Sequence, residues 1–153
     1  MIETTAFDFA EKFIGFKEIP GPKDHPFIQW CLSLCYDGTF GLHDEIPNCS
    51  AWMNGICFLL DLPRSESAAA RSWLRVGREV PLEEAGPGND IVVFSRGPLP
   101  QPGPEVIKAQ GHVALYGGYI GNMVLARGGN QGDEFNDSWF PLDRVLGFRR
   151  LWE

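Results

Sequence analysis

An apolar helix that begins with a cysteine sets the terms for this chain. In Ile46-Pro47-Asn48-Cys49-Ser50-Ala51-Trp52-Met53-Asn54-Gly55-Ile56-Cys57-Phe58-Leu59-Leu60, the residues Cys49, Trp52, Met53, Ile56, Cys57 and Leu60 recur at steps of three and four. Phe58 and Leu59 widen the stripe, so the helix is expected in a core, with its N-terminus opening onto a surface. Pro47 and Asn48 stop the preceding loop, and Asn48 can cap the helix by accepting from an amide one turn on. A thiol at Cys49 feels the positive end of the helix dipole, which favours the thiolate that a cysteine nucleophile needs. On residue type alone, though, Cys49 reads as a small core residue, because free cysteine is among the most buried types. The rest of the chain has to decide between the two.

Helical patterns fill the first half. Ala6 to Phe16 puts Phe7, Ala10, Phe13 and Ile14 on one face, with Thr5 as a cap and Gly15 as a stop. A second helix is expected from Asp24, with Pro26 in its first turn, through Phe27, Trp30, Cys31 and Leu34. Tyr36 to Pro47 reads as a loop carrying the acidic pair Asp44-Glu45, and Ser67 to Val76 as a short helix with Ala70, Trp73 and Leu74 inward. Strand patterns follow Gly77: Ile91-Val92-Val93-Phe94, then His112 to Tyr116, a turn over Gly117 to Gly121, Met123 to Ala126, and Val145 to Leu151. Helices first and antiparallel strands second predict an α+β fold in one domain spanning residues 1–153, with the cysteine helix laid against the sheet.

Charge and composition narrow the function. A net charge of -7 and the lack of any basic run exclude a nucleic-acid backbone binder. No apolar run is long enough to span a bilayer, so membrane insertion is not expected. Met1 to Ala10 contains Glu3 and Asp8 and no secretory signal, which predicts synthesis in a reducing cytoplasm and four free thiols at Cys31, Cys35, Cys49 and Cys57. The three histidines are scattered and no zinc or calcium motif occurs, so no metal or other cofactor is expected.

His112 starts a strand just after Gly111, which leaves room for something to approach the imidazole. Asn130 lies at the end of the next strand, where a hairpin brings it beside the start of the His112 strand. A thiol at a helix start, a histidine at a strand start and an amide on the neighbouring strand form a Cys-His-Asn set. In such a set histidine takes the thiol proton and asparagine holds the ring in a productive tautomer. If the strand register differs by one residue, Gln131 replaces Asn130.

The runs Glu18-Ile19-Pro20-Gly21, Asp44 to Ala51, Asn89 to Phe94, Gly111-His112-Val113, Gly128-Gly129-Asn130-Gln131 and Arg144 to Arg150 resemble a bacterial and bacteriophage group of cysteine hydrolases. These are similar to the NlpC-type peptidases and the cysteine-histidine-dependent amidohydrolases that cut peptidoglycan. The resemblance runs from about Phe7 to Leu151. It implies a papain-like fold with N-terminal helices packed on a C-terminal antiparallel sheet, Cys49 as nucleophile, His112 as base and Asn130 as third member, with Gln131 as its substitute. Asn48, Asp44 and Glu45 are then expected to line the substrate groove, although relatives often carry tryptophan at the position of Asn48. The implied activity is cleavage of an amide in the peptidoglycan stem peptide or at its junction with the sugar. The enzyme would be a monomeric phage lysin, released by a holin or delivered by a secretion or tail device, with an immunity or inhibitor protein as a further partner. Two other classes fit the same residues: an acyltransferase or transglutaminase-like enzyme, and a non-catalytic wall-binding or structural module.

Overall fold

The computed structural model describes residues 3–17, 25–35 and 48–153. The expected helix start at Asp24 and the loop Tyr36 to Pro47, with Asp44 and Glu45, lie outside the described residues. The chain runs α1 (Ala6–Ala10), α2 (Pro26–Ser33), α3 (Cys49–Leu59), then strands β1 (Arg78–Val80), β2 (Asp90–Ser95), β3 (Gly111–Ile120), β4 (Met123–Gly128), β5 (Asn136–Pro141) and β6 (Val145–Arg150). It is an α+β protein, with one six-stranded antiparallel sheet in the order β1-β6-β2-β3-β4-β5. Among the described residues no helix is long and apolar enough to cross a membrane.

Local chemistry accounts for the helix boundaries. The Thr5 hydroxyl accepts from the Asp8 amide at 3.2 Å and caps α1, which tightens into a 3-10 turn over Glu11–Phe13. Pro26 occupies the first turn of α2, and His25 Nδ1 accepts from the Phe27 amide at 3.2 Å. Ser67 to Val76 is not the expected helix; only Ala70–Arg75 coils, as a 3-10 turn. Buried polar groups of α3 take hold of the chain just before it. Asn54 Oδ1 accepts from the Glu66 amide at 2.9 Å, its Nδ2 donates to the Ser67 carbonyl at 3.2 Å, and the Ser67 hydroxyl accepts from the Ala69 amide at 3.1 Å. These bonds offer the backbone an alternative to helix.

Two apolar clusters form. One gathers Ala6, Ala10, Phe13, Ile28, Cys31, Trp52, Met53 and Ile56 with the sheet residues Ile91, Val93, Val113 and Leu115. The other takes the alternate residues Val92, Phe94, Ala114, Tyr116, Val124, Ala126 and Phe148, as the period of two along a strand requires. The hairpin turn comes later than expected: β3 continues to Ile120, with a register shift between Tyr116 and Tyr119. Strands β1 and β5 had no sequence signature. Asn136-Asp137-Ser138 is poor in strand formers, and the ladder to β4 holds it, reinforced by a two-pronged ion pair from Arg127 to Asp137 at 2.7 and 2.9 Å.

Trp52 sits at the centre of the first cluster, with ring centroids 4.7 Å from Phe135, 5.2 Å from Phe27 and 5.5 Å from Phe13. Its indole also packs against Gly129, just past the end of β4; a Cβ there would overlap ring atoms, so only glycine admits the contact. Gly129→Ala is therefore expected to cost about 3 kcal/mol or more through displacement of a packed indole, read as a lowered urea midpoint.

Candidate active site

Cys49 is the first residue of α3, with Asn48 at the N-cap position. The Asn48 side chain does not form the expected capping bond. The helix start does not open onto a surface either: Asn48 is 1% exposed, Cys49 3% and Ser50 1%. Burial pushes the Cys49 thiol pKa up. The backbone amides of Val113, Ser50 and Cys49 and the charge of Arg96 pull the other way without reversing it. The helix-start amides thus act on the sulfur as expected, but desolvation outweighs them and the resting group is the thiol.

His112 is the second residue of β3, pairs with Phe94 of β2 and is 1% exposed. Its ring lies 5.1 Å from Phe140, which packs against the second cluster, and 6.2 Å from Phe94, which belongs to it. Burial chiefly, with Arg96 assisting, lowers its pKa from 6.5 to about 4, against an opposing hydrogen bond from Gln131. Among the described residues no hydrogen bond joins the Cys49 thiol to this ring; the sulfur instead meets the amide of the next residue, Val113.

The neighbours assign the tautomer. Arg96 Nη2 lies 3.3 Å from His112 Nδ1, and because a guanidinium can only donate, Nδ1 must accept. The proton therefore resides on Nε2, which donates to Gln131 Oε1 at 2.9 Å. The Gln131 amide cannot flip freely, since its Nε2 donates to the Asn136 carbonyl at 2.7 Å, to Asn136 Oδ1 at 2.9 Å and to the Ala126 carbonyl at 3.2 Å. Asn136 is fixed in turn by donating to the Gln131 carbonyl at 2.8 Å and by accepting from the Ser138 hydroxyl at 2.7 Å.

Of the two candidate amides, the structure brings Gln131 to the imidazole, not Asn130. Strand β4 ends at Gly128, and Asn130 occupies the left-handed region at φ 57°, where asparagine is tolerated. The following residue, Gln131, reaches back to His112 of β3 and to the Ala126 carbonyl of β4. Asp44 and Glu45 lie outside the described residues. Among the described residues no group of three or more His, Cys, Asp or Glu is placed to hold a metal ion.

Sequence reasoning missed Arg96, Asn136 and Arg71. Arg71 is fully buried and donates to the carbonyls of Gln110 at 2.9 Å and Gly103 at 2.7 Å, holding the Pro/Gly-rich excursion that delivers Gly111 and His112 to β3. Arg96 stands one residue beyond β2, the strand that pairs with the His112 strand, so the β2–β3 register is the signal that finds it. No family model and no curated protein matches this chain.

Two outcomes are expected. Gln131→Ala leaves a buried Nε2–H without its acceptor, costing about 1–3 kcal/mol and shifting the His112 ring nitrogens in 15N spectra, whereas Asn130→Gly leaves those resonances in place. In the pH dependence, the unfolded histidine binds a proton near 6.5 and the folded one near 4. Stability due to the neutral imidazole is therefore complete above pH 6.5 and falls as pH drops from 6.5 to 4. The slope in that window is about 1.4 kcal/mol per pH unit for one proton. Urea unfolding of wild type and His112→Gln across the window should differ by that one-proton slope.

Proposed function

We propose that the protein is a papain-like cysteine hydrolase of the NlpC and cysteine-histidine-dependent amidohydrolase type, cutting an amide bond of peptidoglycan. The observation that carries the reading is the state of His112. Its Nε2–H is bound to the locked oxygen of Gln131 and its Nδ1 is in the accepting form, one residue from the amide that meets the Cys49 sulfur. An imidazole prepared in this way can take a thiol proton at Nδ1 while the amide behind it holds the ring plane.

Cys49 is the nucleophile, His112 the base, and Gln131 the third member in place of Asn130. The thiol proton passes to Nδ1 as sulfur attacks the carbonyl carbon. The developing oxyanion is received by amides at the start of α3, the positive end of the helix dipole. The imidazolium then returns the proton to the departing amine, leaving a thioester. Water adds to the thioester with His112 again as base, releasing the carboxylic acid and restoring the thiol. Gln131 is neutral, so it orients the ring without adding a negative charge to hold the imidazolium. That suits a histidine whose burial already favours the uncharged form.

Cys49→Ala is expected to abolish release of soluble fragments from purified peptidoglycan, while Cys31→Ser, Cys35→Ser and Cys57→Ser keep their turnover at the cost of some stability from a buried hydroxyl. Gln131→Ala should lower kcat by about 10- to 100-fold, and Asn130→Gly should stay near wild type. Mass spectrometry of the wild-type digest identifies the bond from the new termini. Wild-type-like lysis by Cys49→Ala would sink the mechanism.

A further inference from the structure

The nitrogen that has to accept the thiol proton is already occupied. Arg96 Nη2 lies 3.3 Å from His112 Nδ1, on the lone pair that the proposed chemistry uses. An imidazole nitrogen is a modest partner for a guanidinium, which pairs more strongly with a carboxylate through two parallel N–H bonds. The contrast within this molecule is sharp. Every other buried or half-buried arginine among the described residues gives its guanidinium to an oxygen. Arg64 goes to Glu66, Arg127 to Asp137 and Arg150 to Asp90. Arg71, Arg144 and Arg149 go to backbone carbonyls. Only Arg96 among them rests on a ring nitrogen, and it is half-buried beside His112, with its charge reaching the Cys49 sulfur. The Arg144 guanidinium donates at 2.7 Å to the carbonyl of Gly97, so the backbone next to Arg96 is held while its long side chain can turn.

We infer that Arg96 is the receptor for a free carboxylate on the substrate, close to the scissile amide, and that engaging it lifts the guanidinium off His112 Nδ1 and opens that nitrogen to the Cys49 proton. This rests on the cysteine-hydrolase reading above and gives it a substrate class: peptides with an ionised carboxyl group near the cut. It also gives the site a reason to stay idle without substrate, since thiol and imidazole are both neutral and the acceptor is covered. In a chain of net charge -7, a carboxylate needs such a local cation to be held at all. Arg96 is a specificity and positioning residue in this scheme, and the proton still travels between Cys49 and His112.

The test uses two soluble peptidoglycan peptides, identical except that the carboxyl group nearest the scissile amide is free in one and a carboxamide in the other. Wild type is expected to favour the free acid by about 100-fold in kcat/KM. Arg96→Gln should lose most of that preference through its rate on the acid. A second readout needs no turnover: in Cys49→Ala with 15N-labelled histidine, the acid peptide should move the His112 Nδ1 resonance and the carboxamide should not, and adding Arg96→Gln should remove the difference. Equal wild-type rates on the two peptides, or an equal loss on both in Arg96→Gln, overturn the role of Arg96 and leave the hydrolase reading standing. Cleavage of neither peptide by wild type overturns both.

Discussion

The contact between Trp52 and Gly129 is the one on which the rest of the arrangement depends. The indole is the hub of a cluster that takes in Phe13, Phe27 and Phe135, and so brings the 3-10 turn after α1, α2, α3 and the loop after β4 to one place. Because it lies on a residue with no side chain, the first turn of α3 closes down on the end of the sheet. One helical turn before Trp52 stands Cys49; two residues after Gly129 stands Gln131. The N-terminal segment is drawn in as well, since the amide of Gly15 donates to the Phe135 carbonyl and the amide of Phe135 to the Phe16 carbonyl, both at 2.8 Å. Packing an indole on a glycine therefore does more than fill space: it sets the separation between the cysteine helix and the strands that carry the imidazole and its amide.

Electrostatically the site is a balance in which desolvation prevails. The amides around the sulfur and the positive charge of Arg96 favour the thiolate, yet burial holds the group as a thiol. The same burial holds His112 neutral. A charged sulfur–imidazolium pair is thus not the resting state, and any route to it has to bring compensating charge or water to the site. The amide chain from His112 through Gln131 and Asn136 ends on the Ser138 hydroxyl and, through Asn136 Nδ2 at 3.0 Å, on the Glu134 carboxylate.

Much of this was legible in the sequence. The apolar periodicity from Cys49 to Leu60 marked the helix, the alternation from His112 to Tyr116 marked the strand and its two faces, and the Thr5 and Pro26 signals marked helix starts. For the third residue the sequence favoured Asn130 over Gln131 and the structure brings Gln131 to the imidazole, because the choice turns on one left-handed backbone angle and Gly-Gly-Asn-Gln is compatible with either register. The edge strands escaped notice because their partners, not their own side chains, keep them extended. The segment after Ser65 was misread because the groups that unwind it, the Ser50 hydroxyl donating to the Ser67 carbonyl and the Asn54 amide, belong to a different element. Arg96 gave no local signal at all, since its meaning arises only from the pairing of β2 with β3.

The cysteine-bearing helices have a further consequence, for oxidation. All four thiols are free and buried, and burial raises the pKa of Cys31 and pushes that of Cys57 up to about 12. Burial thus keeps both groups as thiols at neutral pH, whereas disulfide exchange proceeds through the ionised fraction. Burial of Cys31 and Cys57 thereby disfavours the form that reacts with oxidants and mixed disulfides. A shift to oxidising surroundings would leave their packing against α2 and α3 intact, with shielding by the core taking the place that cross-links hold in many small proteins.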